Sequence, residues 1–215
     1  MTDGTTWLAA PQSIAFGGYR VVLARGLTAD ELTARLAATL TYPGPHEVVA
    51  VGEHTGDSLL AHMDEAYGYF LDGVGLRVGH AGEWVYAVAY GGWQGEFAPP
   101  GPVSDGGAHV FLLECEEENG KLVPPQFAYF HDGRPAVSFN LHLDSSWGYE
   151  GVEGDPATAA RLEALFAAAG LPDPEREERE VHRAALGVLD EVFGLSLPKE
   201  AVVGGALPTV LLEPA

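Results

Sequence analysis

HVFLLECEEENGKLVPPQFAYFHDGRPAVSF, residues 109–139, holds three apolar runs separated by Glu118-Asn119-Gly120 and His131-Asp132-Gly133, and these two turns decide the fold. Runs rich in Val, Phe and Tyr that are punctuated by Asn-Gly or Asp-Gly are strands joined as hairpins. The open question is register. A two-residue Asp-Gly loop would set Tyr129 opposite Ala136 and Phe127 opposite Ser138, mixing the faces. A three-residue loop, 131–133, sets Tyr129 against Pro135 and Phe127 against Val137, and burial favours it because a one-residue slip turns every side chain over. The same reasoning gives three-residue loops at 118–120, with Cys115 opposite Val123, Leu113 opposite Pro125, Phe111 opposite Phe127 and Glu117 opposite Lys121, and at His80-Ala81-Gly82, with Val78 opposite Trp84, Leu76 opposite Tyr86 and Val74 opposite Val88.

An antiparallel meander of at least five strands follows: 74–79, 83–90, 108–117, 122–130 and 134–143. Its apolar face carries Trp84, Tyr86, Val88, Phe111, Leu113, Phe127, Tyr129, Val137 and Phe139. Such a face needs a cover, and helices on either side of the meander in sequence supply it. Upstream, a strand at Phe16–Ala24 leads to a helix capped by Thr28 and Glu31 with Leu32, Leu36 and Leu40 on one side, then to a short strand at Glu47–Val51 and a helix over 56–71. Downstream, Asp155-Pro156 opens a helix with Leu162, Leu165, Phe166 and Ala169 as its stripe. A second runs from near Glu175 to Phe193 with Val181, Ala185, Leu189 and Val192 inward, and pairs Glu175 with Arg179 and Arg176 with Glu180. Leu207–Leu212 reads as an edge strand. The fold class is therefore α+β, with the meander covered on one face by helices. Residues 1–150 form the strand–helix start and the meander, and 151–215 a helical layer packed on the same domain. SSWGYEGVEGD, 145–155, marks the internal boundary.

Composition narrows the functions. Thirty-one acidic residues against eleven basic ones give a formal charge of −20, and both parts of the chain are acidic. That surface repels nucleic acid and anionic lipid and suits a basic protein partner. One cysteine, Cys115, excludes an internal disulfide framework and every multi-cysteine metal site. The start of the chain lacks a basic, apolar leader and no stretch is long and apolar enough to span a membrane, so a soluble cytoplasmic protein is expected. No serine-elbow, phosphate-loop or dinucleotide glycine pattern is present, and no cofactor is called for.

Eight histidines are scattered without metal-ligand spacing, so no metal site is assigned. His142 and Asp144 fall on one side of a strand end, and with Asn140 and Ser138 they make a polar stripe, read first as a solvated face. The loop 91–107, GGWQGEFAPPGPVSDGG, is longer than the about 12–15 residues of an ordinary connection and carries Trp93, Gln94, Glu96 and Phe97. With Trp147 and Tyr149 these are the candidate interaction residues, since an aromatic with polar neighbours is typical of binding hot spots.

ARGLTADELTARLAA (24–38), LRVGHAGEWVYAVAYGGWQG (76–95), the Ser104-Asp105-Gly106-Gly107 turn and LSLPKEAVVGGALP (195–208) resemble the actinobacterial DUF6461 family, over most of the chain. Where that family carries Phe-Glu-Pro, this chain reads Phe139-Asn140-Leu141. The resemblance implies a bacterial, streptomycete-like intracellular protein and carries no catalytic residues with it. Three readings of function remain. The first is a protein-interaction module of immunity or accessory type. The second is a hydrolase in which His142, Asp144, Glu96 or His109 converge at a sheet end. The third is a small-ligand-binding scaffold, which requires an apolar cleft between the sheet and the C-terminal helices.

Overall fold

Tyr19–Ala24 is apolar except for Arg20 and almost wholly buried, and it lies in the middle of the sheet. This strand, β1 (Gly18–Arg25), is paired on both sides. The computed structural model describes residues 3–14, 18–40, 46–91, 97, 99–117, 123–146 and 151–214. The remaining strands are β2 (His46–His54), β3 (Val74–Ala81), β4 (Trp84–Gly91), β5 (His109–Glu116), β6 (Gln126–His131), β7 (Arg134–Asn140), β8 (Glu153–Gly154) and β9 (Leu207–Pro214). The helices are α1 (Ala29–Ala37), α2 (Gly56–Tyr67), α3 (Pro156–Ala168), α4 (Glu178–Phe193) and α5 (Lys199–Val203). All strand pairs are antiparallel, in the spatial order β2-β9-β3-β4-β1-β5-β6-β7-β8. The fold is α+β, as the alternation of strands and capped helices leads one to expect.

The face assignment holds. Trp84, Tyr86, Val88, Phe111, Leu113, Phe127, Val137 and Phe139 are buried in one layer, with Tyr129 packed against it, under α2, α3, α4 and a 3-10 turn at Thr6–Ala9. A second core lies on the opposite face, where α1 brings Leu32, Leu36 and Ala37 onto Val22, Ala24, Leu76, Val78, Val85, Ala87, Val110 and Leu112. The capping box that starts α1 is present, with Thr28 accepting the Glu31 N–H and the Glu31 carboxylate accepting the Thr28 N–H. Asp155 caps α3 through the Thr158 N–H.

The registers correct the expected loops. Asp132 (φ +48°) and Gly133 (φ +75°) form a two-residue turn with both residues left-handed, as a type I′ hairpin requires. The faces nevertheless come out right, because a bulge at Ala136 steps the register so that Tyr129 meets Val137 and Phe127 meets Phe139. Turn chemistry sets one register, burial demands another, and one unpaired residue reconciles them. The β5–β6 pair runs two residues away from expectation, with Phe111 opposite Tyr129 and Leu113 opposite Phe127. Its connecting turn lies outside the described residues.

At β3–β4 the turn is Gly82-Glu83, and Val78 faces Ala87 and Leu76 faces Ala89. That is the opposite face from expectation. Both faces of this hairpin are covered, so pairing the largest apolar residues was the wrong criterion. Large rings on β4 are instead matched to small residues on β3. Gly79 stands opposite Tyr86, and a Cβ there would overlap the Tyr86 hydroxyl and ring.

Other corrections have simple causes. β9 is interior, between β2 and β3, and β2 is the edge strand. Leu165 is 36% exposed, leaving Ala159, Leu162 and Phe166 as the buried stripe of α3; Ala169 is its exposed C-cap. Because α4 begins at Glu178, Arg176 pairs with Asp173 at 3.6 Å and Arg179 reaches Glu117 at 3.2 Å.

β3 also buries a charge. Arg77 is 0% exposed, and all five of its N–H donors are used: Nε on His54 O, Nη1 on Tyr90 Oη and Val202 O, and Nη2 on Ala201 O and Gly205 O. Two Trp indoles tie down the exit of α4: Trp84 Nε1 donates to Gly194 O and Trp7 Nε1 to Leu197 O.

Tyr86 is buried, so its ring can yield to a Cβ at residue 79 only by displacing its neighbours. Gly79→Ala is therefore expected to cost roughly 1–3 kcal/mol, read as a lower urea midpoint. Adding Tyr86→Leu should return part of that loss, because the two changes share one volume. Purely additive effects in the double-mutant cycle would show that the two residues are not coupled.

Candidate functional site

A cleft of about 360 Å³ opens where α3 and α4 meet the β6 strand, lined by Tyr129, Ala157, Thr158, Arg161, Leu162, Val192 and Phe193. Its floor is aromatic. Tyr129 lies flat on Phe111, ring centroids 4.4 Å apart and 3° from parallel, and Phe193 packs across both at 5.3 and 5.1 Å. The cross-strand pairing of Phe111 with Tyr129 produces the stack. Phe193 reaches it from the last turn of α4. Thr158 and Arg161, from the first two turns of α3, supply the polar rim. Arg161 is exposed and has no ion pair among the described residues.

Two histidines extend the stack. His109 lies over His131 at 4.1 Å, and its Nδ1 is 2.8 Å from the Tyr129 hydroxyl. Burial first, then the neighbouring His131 and Arg25, hold His109 below the usual histidine range. The His109 imidazole holds the Tyr129 hydroxyl at the edge of the cleft through one hydrogen bond.

The sequence-derived candidates separate. Trp93, Gln94, Glu96, Trp147 and Tyr149 lie outside the described residues. Phe97 bridges to Leu40, packs against the α1 core, and lies beneath the Arg20 guanidinium at 4.5 Å, so it acts as a structural contact. β7 ends at Asn140, whose amide is buried, donating to the Asp144 carbonyl and carboxylate while its oxygen accepts the Asp144 N–H. The Asn140 end of the expected stripe is therefore an interior turn clamp and not a solvated face. Burial pushes the Asp144 carboxyl up, but hydrogen bonds from Ser146 and Asn140 outweigh it and hold the group below the ordinary range.

His142 turns toward His182, with ring centroids 6.4 Å apart, and His182 Nε2 meets the buried Tyr19 hydroxyl at 2.8 Å. His109 sits at the other end of the sheet: the β5–β6–β7 ladder runs from His109, His131 and Arg134 at one end to Glu114, Gln126 and Asn140 at the other. Five residues of strand separate the two ends, about 17 Å, so His109 and His142 do not share a site. Cys115 is half-buried, and burial, then Glu117, pushes its thiol up to about 12, which leaves no thiolate for nucleophilic work.

Sequence reasoning missed Arg161 and Phe193. The signal that existed was a lone base on a helix face beside the inward Leu162, and an aromatic in the last turn of the following helix. Comparison of the chain with protein-family models, with curated proteins and with solved structures finds no match.

His182 gives the region a measurable signature. Burial drives its pKa down to about 3 from 6.5, with His142 and then Arg179 adding to the shift. The unfolded chain then binds the extra proton between these values, so stability is complete above pH 6.5 and falls as the pH drops. His142 and His109 shift in the same direction. Urea midpoints should fall from pH 7 to pH 5, with His182 contributing up to about 1.4 kcal/mol per pH unit. His182→Gln should flatten that dependence, and an unchanged slope would remove His182 from the account.

Proposed function

We propose that this chain is a small-ligand-binding scaffold whose site is the aromatic cleft between β6, α3 and α4. The observation that carries the reading is the composition of the cleft: a stacked aromatic floor, aliphatic walls, and one unpaired guanidinium with one hydroxyl at the rim. Ligand sites are mostly apolar enclosures with a few placed polar groups, and about 300–1,000 Å³ is their usual size. The chemistry selects a planar aromatic ligand bearing one anionic group. The ring stacks on Phe193 and Tyr129, and the anion meets Arg161 in a charge-assisted hydrogen bond. The overall negative charge does not prevent this, because charges farther than about 8 Å are largely screened at physiological salt, and of the charged groups Arg161 is the one that lines the cleft, the Asp155 carboxylate beside it being held by the Thr158 N–H and hydroxyl.

The hydrolase alternative lacks a comparable convergence, since His109 and His142 lie at opposite sheet ends. We also propose that the chain belongs with the DUF6461 family, on the motifs quoted above, and that it works in the cytoplasm without nucleic acid. The lone unpaired cysteine and the acidic surface support those two readings. Among the described residues no helix is long and apolar enough to cross a membrane.

The test uses 2-naphthoate as probe and 2-naphthylmethanol as its uncharged counterpart, titrated by calorimetry and by amide shifts. A ligand of this size should bind with a Kd on the order of 0.1–1 mM. Arg161→Gln, at an exposed position, should weaken the naphthoate about tenfold and leave the alcohol unchanged. Phe193→Ala should weaken both. Absence of saturable binding, or binding that ignores both substitutions, would overturn the assignment.

A further inference from the structure

The two edges of the sheet are not alike. β8, at one edge, is two residues long and runs straight into α3, so it offers almost no ladder to a further strand. β2, at the other, is nine residues long and pairs only with β9 among the described residues. Most of it is exposed: Glu47, Val48, Ala50, Gly52 and Glu53 all face solvent, Val48 at 40%. Protein edges are commonly guarded by charged side chains, lysine above all, by proline, by shortening or by a bulge, and of these β2 carries the charges of Glu47 and Glu53. β2 has neither lysine nor proline, and its one irregularity falls between Ala50 and Gly52. That leaves His46–Ala50 as a regular ladder whose outer side pairs with no strand among the described residues.

Charge says what fits there. Glu47 is paired directly with Glu213 across the β2–β9 ladder, and neither carboxylate has an ion pair among the described residues. Like charges directly opposite each other in a sheet are destabilising. Glu53 adds a third acid on the same edge. A second copy of this chain is a poor occupant. Antiparallel self-pairing about Ala50 would set Glu47 against Glu53 twice, and two chains of −20 would be brought together.

We propose that the outer edge of β2 is a strand-addition site for an extended segment of another protein in which basic residues alternate with apolar ones. The main chain of the incoming strand completes the ladder along His46–Ala50. Its lysine or arginine side chains neutralise Glu47 and Glu213, and its apolar side chains cover Val48. Main-chain bonds give affinity and alternate side chains give specificity in this mode of recognition. The site is independent of the cleft, since β2 and β6 are six strand positions apart, about 29 Å.

The probe is a seven-residue peptide of alternating lysine and valine, titrated at 150 mM salt and followed by amide shifts and hydrogen exchange in β2. Two peptides of equal length serve as controls: glutamate alternating with valine, and the lysine peptide with alternate backbone amides N-methylated. The lysine peptide should bind saturably and slow exchange in β2, and each control should bind at least tenfold more weakly. In the Glu47→Lys, Glu53→Lys double variant, whose positions are exposed, the preference should reverse toward the glutamate peptide while the urea midpoint is equal to or above that of the parent, since Lys at 47 would face Glu213. Equal binding of the N-methylated peptide would reduce the effect to charge alone and overturn the proposal. So would failure of the lysine peptide to bind, or self-association through β2 in sedimentation.

Discussion

A guanidinium with no ion pair among the described residues sits in the interior, and several elements on one side of the sheet converge on it. Burying an uncompensated charge costs several kcal/mol, so Arg77 requires every donor to be met. The five acceptors come from the end of β2, from Tyr90 on β4, and from the last turn of α5 and the bend into β9. Carbonyls at a helix C-terminus carry partial negative charge, and here they stand in for a counterion. A lysine has three donors on a point charge and lacks the planar fork that reaches four chain segments at once. Arg77 thus fixes where β2, β4 and β9 end relative to β3.

That one side chain also explains the hairpin that sequence patterning misassigned. Gly75, Arg77 and Gly79 share a face of β3, and the glycines flank the guanidinium opposite Tyr90 and Tyr86. With that face taken by a long polar side chain and two residues without Cβ atoms, Val74, Leu76 and Val78 have only the other face, and α1 lies over it. A pattern of small–arginine–small alternating with aliphatics was legible at residues 75–79. It resembles a solvated face so closely that only knowledge of a second helical layer distinguishes the two.

Where the physics was local, the sequence could be read directly. The Thr28–Glu31 capping box, the Asp155-Pro156 helix start, the glycine ending α4, and the large apolar face of the meander all depend on neighbours within a few residues or on period-two alternation. Registers were not legible in the same way. At Asp132-Gly133 the turn and the buried face each demanded a definite register, one residue apart, and the bulge that satisfies both has no signature at Ala136. The insertion of β9 into the sheet interior, more than a hundred residues after β3, is a non-local choice. The cleft was legible in its parts alone: Tyr129 was correctly placed on the covered face, while Phe193 and Arg161 acquire meaning only once α3 and α4 converge above it.

The charge of −20 reads differently once the bases are located. Six of the nine arginines are engaged within the molecule. Arg77 is buried; Arg20, Arg25, Arg176 and Arg179 hold Glu114, Glu83, Asp173 and Glu117; and Arg35 donates to the carbonyls of Val103 and Asp105. Several of these contacts join segments far apart in sequence, so the few cations act as fasteners between elements. Each ion pair cancels one acid as well as one base, so the net charge of −20 resides on the remaining, unpaired carboxylates, with solubility as one consequence. Arg161 is one of three arginines, with Arg134 and Arg183, that hold no such contact among the described residues, and it is the one of the three that lines the aromatic cleft; the same scarcity of bases leaves the facing Glu47 and Glu213 without an ion pair among those residues.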